Sequence, residues 1–187
     1  MAVAWVISAV DHSYVLQNSI VLKTLIETAF EEAELNSPFT ASTPFDETWE
    51  IASRPPREGI THLLAINCEQ QIVGGFFSID TKCISENSDA ECGWFFVMPD
   101  QPAYLRKSIA LDLCNVAHTL MRRAGYQRVV TMIGTKAGER FLQRYFGYEH
   151  QPIESEENRC VYDLRRKMKN SATSEAGVEE ALARSLV

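Results

Sequence analysis

The sequence predicts an α/β (α+β) fold, in which a mixed, mostly antiparallel central sheet has one parallel pair of central strands and helices on both faces. The segments THLLAINC and IVGGFFSID flank a polar turn at residues 69–71 and indicate a hairpin. A third strand, residues 92–97, is apolar on both faces, which is typical of a central strand covered on both sides. A helical segment then precedes the buried strand RVVTMI, so these last two strands are expected to run parallel.

The composition is that of an ordinary globular protein. With 187 residues, 45% of them hydrophobic, the chain is long enough for one domain, residues 1–166, followed by a polar tail, residues 167–187, that is either a short helix or mobile. No apolar run reaches bilayer length and the N-terminus lacks a signal-peptide pattern, which predicts a cytoplasmic protein without a membrane partner. A net charge of −7 disfavours non-specific nucleic-acid binding. The five cysteines form no zinc-spaced cluster, so we expect reduced thiols and no metal.

The N-terminal third is expected to contain one strand and two helices. VAWVISAV is rich in β-branched residues and predicts the strand. Apolar residues at helical spacing predict a first helix over residues 13–34, and a short second helix is placed at residues 46–53. Phe39, Phe45 and Trp49 lie in or beside the second segment, where they either line a pocket or tie a long loop to the core.

Capping residues mark the two later helices. Apolar residues within 109–124 keep one face of a helix, and Gly125 follows as its C′ residue. Thr135 is placed to cap the next helix, which Gly147 ends. YEHQPI and CVYDLR are then expected to be the last two strands.

The stretch between the strand at residues 92–97 and the next helix has the pattern of an anion site. The strand runs into a proline-bounded turn and then into Arg106, Lys107 and Ser108. Unpaired N–H groups in a helix's first turn, the helix dipole and the two cations all favour a diphosphate. We therefore expect a nucleotide-like cofactor here. The alternative is that Arg106 and Lys107 belong only to the solvated first turn of an amphipathic helix.

The order of elements between residues 4 and 165, together with four motifs, resembles the GNAT superfamily of N-acetyltransferases. The motifs are VGG at residues 73–75, V-x-P at residues 97–99, a turn at residues 105–110 in place of [RQ]-x-x-G-x-[GA], and FLQRYFGYE with its G-[FY] ending. The turn departs from the family pattern. Leu105 stands where Arg or Gln is usual, Ser108 where Gly is usual, and three extra residues separate the turn from the proline of V-x-P.

The resemblance implies a GNAT-like domain that uses acetyl-CoA as acyl donor and needs no metal. It implies that backbone N–H groups of the turn bind the diphosphate, and that two splayed central strands admit the pantetheine arm. The cofactor-binding residues expected on this basis are Phe96, Val97, Leu105, Arg106, Lys107, Ser108, Ile109, Ala110 and Thr135.

Two residues are candidates for catalysis. Glu91 opens the strand at a position similar to that of the carboxylate that many GNAT enzymes use as base, and the alternative is a solvated glutamate at a strand end. The tyrosine that commonly protonates the leaving thiolate in the family falls at Gln143 here. Tyr145 or Tyr104 then supplies the acid from another position, or solvent does, or the protein does not catalyse. His118 is interpreted as a packing or surface residue.

Together these inferences predict an acyl-CoA-dependent N-acetyltransferase that moves an acetyl or other short acyl group to a primary amine. Direct transfer is expected because no cysteine lies in a nucleophile motif. The acceptor is a small-molecule or protein amine, and a homodimer is compatible with the sequence. Two alternatives stay open: a catalytically inactive GNAT-fold binding or structural protein, and a toxin that acetylates aminoacyl-tRNA. The basic patch of such a toxin would comprise Arg122, Arg123, Arg128, Arg165, Arg166 and Lys167.

Overall fold

The computed structural model describes residues 5–36, 39–55, 59–83, 89–151 and 159–165. In chain order these residues form β1 (Trp5–Val10), α1 (His12–Gln17), α2 (Ser19–Phe30), α3 (Thr43–Ser53), β2 (Ile60–Asn67), β3 (Ile72–Asp80), β4 (Ala90–Glu91), β5 (Phe95–Val97), α4 (Ala103–Arg123), β6 (Arg128–Met132), α5 (Lys136–Phe146), β7 (Glu149–His150) and β8 (Arg159–Asp163). Within this part of the chain, no helix is both long enough and apolar enough to cross a membrane.

The strands form two four-stranded sheets. In the first, the order is β1-β2-β3-β5 and every neighbouring pair is antiparallel. In the second, the order is β4-β6-β8-β7 and only β4 and β6 are parallel. The predicted fold class is confirmed, and the parallel pair consists of the strands that precede and follow α4.

The two sheets share one extended segment, residues 90–97, and diverge along it. The beginning of the segment is β4, which pairs with β6, and its end is β5, which pairs with β3. Between them the backbone bulges: the Gly93 N–H donates to the Phe77 carbonyl over 3.1 Å, and the Phe77 N–H donates to the Trp94 carbonyl over 2.9 Å. Beyond Glu91, β5 and β6 are not paired with each other, which opens a gap between the sheets.

Helices cover both faces of the sheets, and each side has its own apolar core. On one side α4 and α5 bury residues such as Leu113 and Leu142 against the sheet. On the other side α2 and α3 bury residues such as Leu22 and Phe45. Burial of each such side chain contributes about 1.5–3 kcal/mol relative to leaving it exposed. The gap between β5 and β6 therefore lies between two packed layers.

The predicted helix ends are confirmed at three positions. Gly125 follows α4 with φ of +98°, and Gly147 ends α5 with φ of +74°. The Thr135 hydroxyl accepts a hydrogen bond from the Gly138 N–H over 2.9 Å at the start of α5. Glycine adopts left-handed φ values at little cost, so a glycine indicates where a helix ends. A free N–H in the first turn needs an acceptor, so a threonine indicates where a helix begins.

The prediction of a single helix over residues 13–34 is wrong. Asn18 leaves the helical conformation, with φ of −105° and ψ of 17°, and separates α1 from α2. Its side-chain amide donates to the Tyr14 carbonyl over 2.9 Å, a local bond that competes with continuation of the helix. The helix predicted at residues 46–53 begins three residues earlier, because Pro44 fits the first turn of a helix.

The strand predicted over residues 92–97 is not continuous and is not a central strand. Only Phe95–Val97 is strand, and it lies at the edge of the first sheet. Gly93 permits the bulge that interrupts it, since a Cβ there would lie 3.2 Å from the Phe77 carbonyl oxygen. An apolar run in the sequence indicates that a segment is buried, but it does not indicate whether a bulge interrupts the strand.

The turn predicted at residues 105–110 is helical. These residues belong to the first turns of α4, which begins at Ala103 with Pro102 as its N-cap residue.

The last part of the chain is only partly described. β7 comprises Glu149–His150, whereas residues 152–153 of the predicted strand YEHQPI lie outside the described residues. The predicted strand CVYDLR corresponds to β8. The polar tail, residues 167–187, also lies outside the described residues.

Candidate functional site

A cleft of about 350 Å³ lies in the gap between β5 and β6. One wall is the segment 92–97 and the other is residues 131–135. α4 and α5 contribute residues such as Ala110 and Phe141, whereas Phe30 comes from the C-terminal end of α2. The cleft thus contacts both helical layers and is lined by the unpaired edges of two sheets.

The wall formed by β5 carries free backbone groups. The Met98 N–H donates to the Val73 carbonyl of β3 over 3.0 Å. Alternate residues of an antiparallel strand direct their N–H and C=O groups to opposite edges, so those of Phe95 and Val97 face away from β3. On that edge the described part of the chain provides no strand partner. An extended ligand that carries amide groups can therefore hydrogen-bond along it.

α4 brings positive charge to the cleft. Arg106 and Lys107 are exposed and line it, and the Arg106 guanidinium is oriented by donating to the Pro99 carbonyl over 3.1 Å. The Arg106 N–H donates to the Pro102 carbonyl over 2.9 Å, so the N–H groups of residues 103–105 precede the first intrahelical bond. The N-cap residue, Pro102, makes no side-chain capping hydrogen bond, and no acidic residue lies in the first turn of the helix. The dipole, the N–H groups and the two cations all favour an anion at this end.

Tyr145, the candidate acid, lies beside the same cationic end. The Lys107 Nζ is 4.9 Å from the centroid of the Tyr145 ring, and the Arg144 guanidinium carbon is 5.5 Å from it. The ring packs against Phe141 with centroids 5.2 Å apart. Tyr145 does not itself line the cleft, and its role as acid stays a prediction. Tyr104 is 71% exposed on the first turn of α4.

Glu91, the candidate base, lies next to the cleft but does not line it. Its side chain is exposed, and its backbone N–H donates to the Asp80 carboxylate over 3.1 Å. The following residue, Cys92, does line the cleft. A proton path from the cleft to this carboxylate therefore has to include water, and the role of Glu91 also stays a prediction.

Cys92 lies at the inner end of the cleft, where β4 and β6 separate. Its carbonyl accepts a hydrogen bond from the Thr131 hydroxyl over 3.2 Å. Burial raises the pKa of the Cys92 thiol to about 12, so the thiol stays protonated at neutral pH. A protonated thiol is a poor nucleophile, and Cys92 is therefore unsuited to carry a covalent acyl intermediate.

Tyr148 is a cleft residue that the sequence did not single out for chemistry. It lines the cleft and is buried, and its hydroxyl lies 2.8 Å from His118 Nε2. Burial raises the pKa of the Tyr148 hydroxyl well above its usual value. His118 packs inside this aromatic cluster, stacked on Tyr162 with centroids 4.8 Å apart, so its interpretation as a packing residue is confirmed.

The structure brings together six of the predicted cofactor-binding residues. Those that line the cleft are Phe96, Val97, Arg106, Lys107, Ala110 and Thr135. The other three lie on α4 without lining it: Ile109 is buried, Leu105 packs against the core, and the Ser108 hydroxyl donates to the Tyr104 carbonyl. Helical geometry separates them, since residues about 100° apart around a helix cannot all face one cleft.

Sequence reasoning missed several cleft residues with polar or aromatic side chains, among them Cys92, Trp94, Thr131 and Tyr148. The available signals were Gly93, beside which a strand can bulge, and Tyr148 in the G-[FY] motif, which was used for the helix end and the family resemblance but not as a site residue. The loop aromatics do not line the cleft. Phe45 is buried in the core, and Phe39 packs edge-on against Trp94 with centroids 5.0 Å apart, as expected for residues that tie a loop to the core.

Three arginines of the basic patch considered for an aminoacyl-tRNA-acetylating toxin have protein partners. Arg128 forms a two-pronged contact with Asp89, at 2.8 and 3.0 Å, and Arg165 pairs with the Asp163 carboxylate over 2.8 Å. Arg122 Nε donates to a backbone carbonyl. Arg166 and Lys167 lie outside the described residues. Among the residues that the structure describes, no group of three His, Cys, Asp or Glu side chains could hold a metal.

Solved structures show where else this architecture occurs. The PaiA N-acetyltransferase from Thermoplasma acidophilum, in complex with coenzyme A, superposes with a TM-score of 0.60 at 14% identity, over 84% of this chain and 98% of that one. The ribosomal-protein-S18-alanine N-acetyltransferase from Escherichia coli has a TM-score of 0.54 at 11% identity, with coverages of 89% and 98%. A variant of the spermidine N-acetyltransferase SpeG from Vibrio cholerae has a TM-score of 0.54 at 12% identity, with coverages of 86% and 94%.

At these identities the likeness is one of fold, and the chain has the fold of the GNAT superfamily. No family model matches the sequence, and no curated protein matches it either. The resemblance that the sequence motifs suggested is therefore confirmed at the level of architecture.

Proposed function

We propose that the protein is an acyl-CoA-dependent N-acyltransferase that moves an acetyl or other short acyl group directly to a primary amine. The observation that carries this proposal is the cleft between the unpaired edges of β5 and β6, with Arg106 and Lys107 at one end. A long thioester with a diphosphate head and an amide-bearing arm has the shape and chemistry that these groups can bind. The fold likeness to an N-acetyltransferase in complex with coenzyme A supports the same conclusion.

The donor is proposed to lie with its diphosphate at the start of α4 and its arm along β5. Arg106, Lys107 and the helix N-terminus supply the positive end, whereas Phe95 and Val97 supply backbone hydrogen bonds. The thioester then reaches the region of Cys92, where the two sheets separate. Direct attack by the amine is proposed because the raised pKa of Cys92 disfavours a covalent intermediate on the protein.

Acid–base roles are assigned from those that the sequence predicted. Glu91 accepts the proton of the attacking amine through water, because its side chain is exposed beside the cleft residue Cys92. Tyr145 lies beside Lys107, at the end of the cleft proposed for the diphosphate, so among the predicted sources of the acid we propose that solvent protonates the leaving thiolate. Much of the rate is expected from positioning the two reactants in the cleft.

The acceptor is proposed to be a cationic amine. Exposed carboxylates occur beside cleft residues: Glu31, Glu32 and Glu34 are next to Phe30 and Ala33 in the chain, and the Glu47 carboxylate on α3 accepts a hydrogen bond from the Trp94 indole N–H. Within the described chain no basic side chain pairs with these four carboxylates. An electronegative rim attracts ammonium groups. The names of two structural neighbours give acceptors of two kinds, spermidine and an alanine of ribosomal protein S18, and these are the first to test.

The first test is stabilisation by coenzyme A. A ligand that binds only the folded state raises the free energy of unfolding by roughly 2.7 kcal/mol at about a hundredfold excess over its Kd. We expect a corresponding rise in Tm in millimolar CoA, measured by scanning calorimetry. Adenosine at the same concentration is the control, since it lacks the diphosphate and the arm. An unchanged Tm would contradict the proposal.

A second test removes the cationic end of the cleft. Arg106→Ala combined with Lys107→Ala should raise the Kd for CoA about 10²-fold, because two charge-assisted contacts of about 1.4 kcal/mol each are lost. The matched control is Arg123→Ala, at the opposite end of α4. Calorimetric titration measures all three proteins. Equal CoA affinity in the double variant and the control would show that the diphosphate does not bind at this end.

An assay for free CoA released from acetyl-CoA separates the main alternative. A catalytically inactive GNAT-fold protein would bind CoA or not bind it, but it would release no free CoA from acetyl-CoA with any amine. The aminoacyl-tRNA alternative is less favoured, because Arg122, Arg128 and Arg165 already have protein partners.

A further inference from the structure

The Trp94 side chain lies across the gap between β5 and β6. Trp94 directly precedes β5, and its ring lies on Gly134, which lies just beyond the end of β6. A Cβ added at Gly134 would come within 1.9 Å of two atoms of the indole ring, so only glycine fits beneath it. The indole therefore bridges the two walls of the cleft from one sheet to the other.

Contacts from α2, α3 and the loop between them hold this ring in place. The Trp94 indole N–H donates to the Glu47 carboxylate on α3 over 2.6 Å. Phe30 of α2 packs edge-on with its centroid 5.6 Å away, and Phe39 does so at 5.0 Å. A side chain fixed by glycine contact, a hydrogen bond and two aromatic rings forms a rigid wall.

The backbone around Gly134 is fixed as well. Its carbonyl accepts a hydrogen bond from the Asn36 N–H over 2.8 Å, and the Asn36 side chain donates to the Ile133 carbonyl over 2.8 Å. The segment after α2 is thereby attached to the end of β6. The surface on which the indole lies cannot recede without breaking these buried hydrogen bonds.

We propose that Trp94 limits the length of the acyl group that the cleft accepts. This inference rests on the proposed function: a donor whose diphosphate lies at Arg106 and whose arm follows β5 from Val97 to Phe95 directs its acyl group toward Trp94. An acetyl group adds only two carbons to the thioester, and we expect it to fit without displacing the indole. A longer chain would have to displace a ring that is packed on all the sides described above, and overpacking of this kind is costly.

The test compares binding of CoA, acetyl-CoA and hexanoyl-CoA by calorimetric titration. The unmodified protein should bind CoA and acetyl-CoA alike and hexanoyl-CoA at least about tenfold more weakly. Trp94→Ala and the less drastic Trp94→Leu should bind all three ligands within about threefold of one another. The matched control is Trp49→Ala, which removes the same side chain from α3 outside the cleft and should keep the discrimination.

The outcomes distinguish this inference from the proposed function. If the unmodified protein binds acetyl-CoA and hexanoyl-CoA equally, or if both Trp94 variants still reject hexanoyl-CoA while binding CoA, Trp94 does not set the limit and the proposed function stands. If CoA itself does not bind to the unmodified protein, both are overturned. The comparison needs only one of the two Trp94 variants to fold. The preference of the unmodified protein for acetyl-CoA over hexanoyl-CoA is measured without any variant.

Discussion

Acidification from pH 6.5 toward pH 4 is expected to destabilise the protein by several kcal/mol, because two buried histidines must stay neutral in the folded state. Burial and the neighbouring His12 lower the pKa of His62 from 6.5 to about 4. Burial, with Arg122 nearby, lowers the pKa of His118 from 6.5 to about 3. In the unfolded chain both side chains take up a proton near pH 6.5, so protonation favours unfolding below that pH.

The hydrogen bonds around His62 show why its charged form is disfavoured. Its Nδ1 accepts the Ser78 N–H over 3.0 Å, so its own proton is on Nε2 and faces His12 Nδ1 at 2.8 Å. A second proton on His62 would remove the acceptor of a buried backbone N–H. Asp11, at the N-terminus of α1, partly offsets this effect. Above pH 6.5 the full contribution of His62, on the order of 3 kcal/mol, is present, and it is lost as the pH falls to about 4.

His118 makes the same contribution from the other core. Its Nε2 lies against the Tyr148 hydroxyl, and among the described residues its Nδ1 has no hydrogen-bond partner. A charge there would be buried without a counterion. Its stabilisation is likewise present above pH 6.5 and is lost as the pH falls toward about 3.

Urea unfolding at pH 7.5 and pH 5 measures the effect. We expect His62→Gln, which can still accept the Ser78 N–H but does not titrate, to reduce the loss between these two values by about 2 kcal/mol. The control His150→Gln removes an exposed histidine that pairs with Glu139, and it should not reduce the loss. A His62→Gln protein whose stability falls as steeply as that of the unmodified protein would contradict the prediction.

The parts of the fold that follow from local chemistry could be predicted from the sequence. Thr135 and Gly147 mark the ends of α5 because a free N–H needs an acceptor and a left-handed residue needs glycine. The antiparallel hairpin of β2 and β3 and the parallel relation of β4 to β6 follow from the length of the connections. The break at Asn18 was missed because it depends on one side-chain bond within an otherwise apolar pattern.

The position of the cleft could not be predicted to the residue. It arises where residues 92–94 leave one sheet for the other, and this depends on hydrogen bonds to Phe77 on a strand distant in sequence. The helical start at Ala103 likewise changes which residues of α4 face the cleft. The sequence motifs therefore identified the cationic end, through Arg106 and Lys107, better than the end where chemistry is proposed.

Replacing Glu91 by glutamine directly tests the proposal that Glu91 is the base. Glu91→Gln keeps the size and hydrogen-bonding capacity of the side chain but cannot take up a proton. If water relays the amine proton to Glu91, kcat should fall by roughly 10²- to 10⁴-fold, whereas the Kd for CoA should stay unchanged. The assay follows release of free CoA from acetyl-CoA, first with spermidine and with a peptide that begins with alanine.

The pH profile of kcat/KM gives this test its specificity. If Glu91 is the base, kcat/KM of the unmodified protein should rise with pH along a limb that Glu91→Gln lacks. Glu69→Gln is the matched control, because Glu69 is an exposed glutamate in the turn between β2 and β3, away from the cleft. Ionisation of the acceptor amine affects all three proteins equally, so it cancels in the comparison. A Glu91→Gln protein with the same rate and pH profile as Glu69→Gln would show that Glu91 is only a solvated residue at the end of β4, and that transfer proceeds by positioning alone.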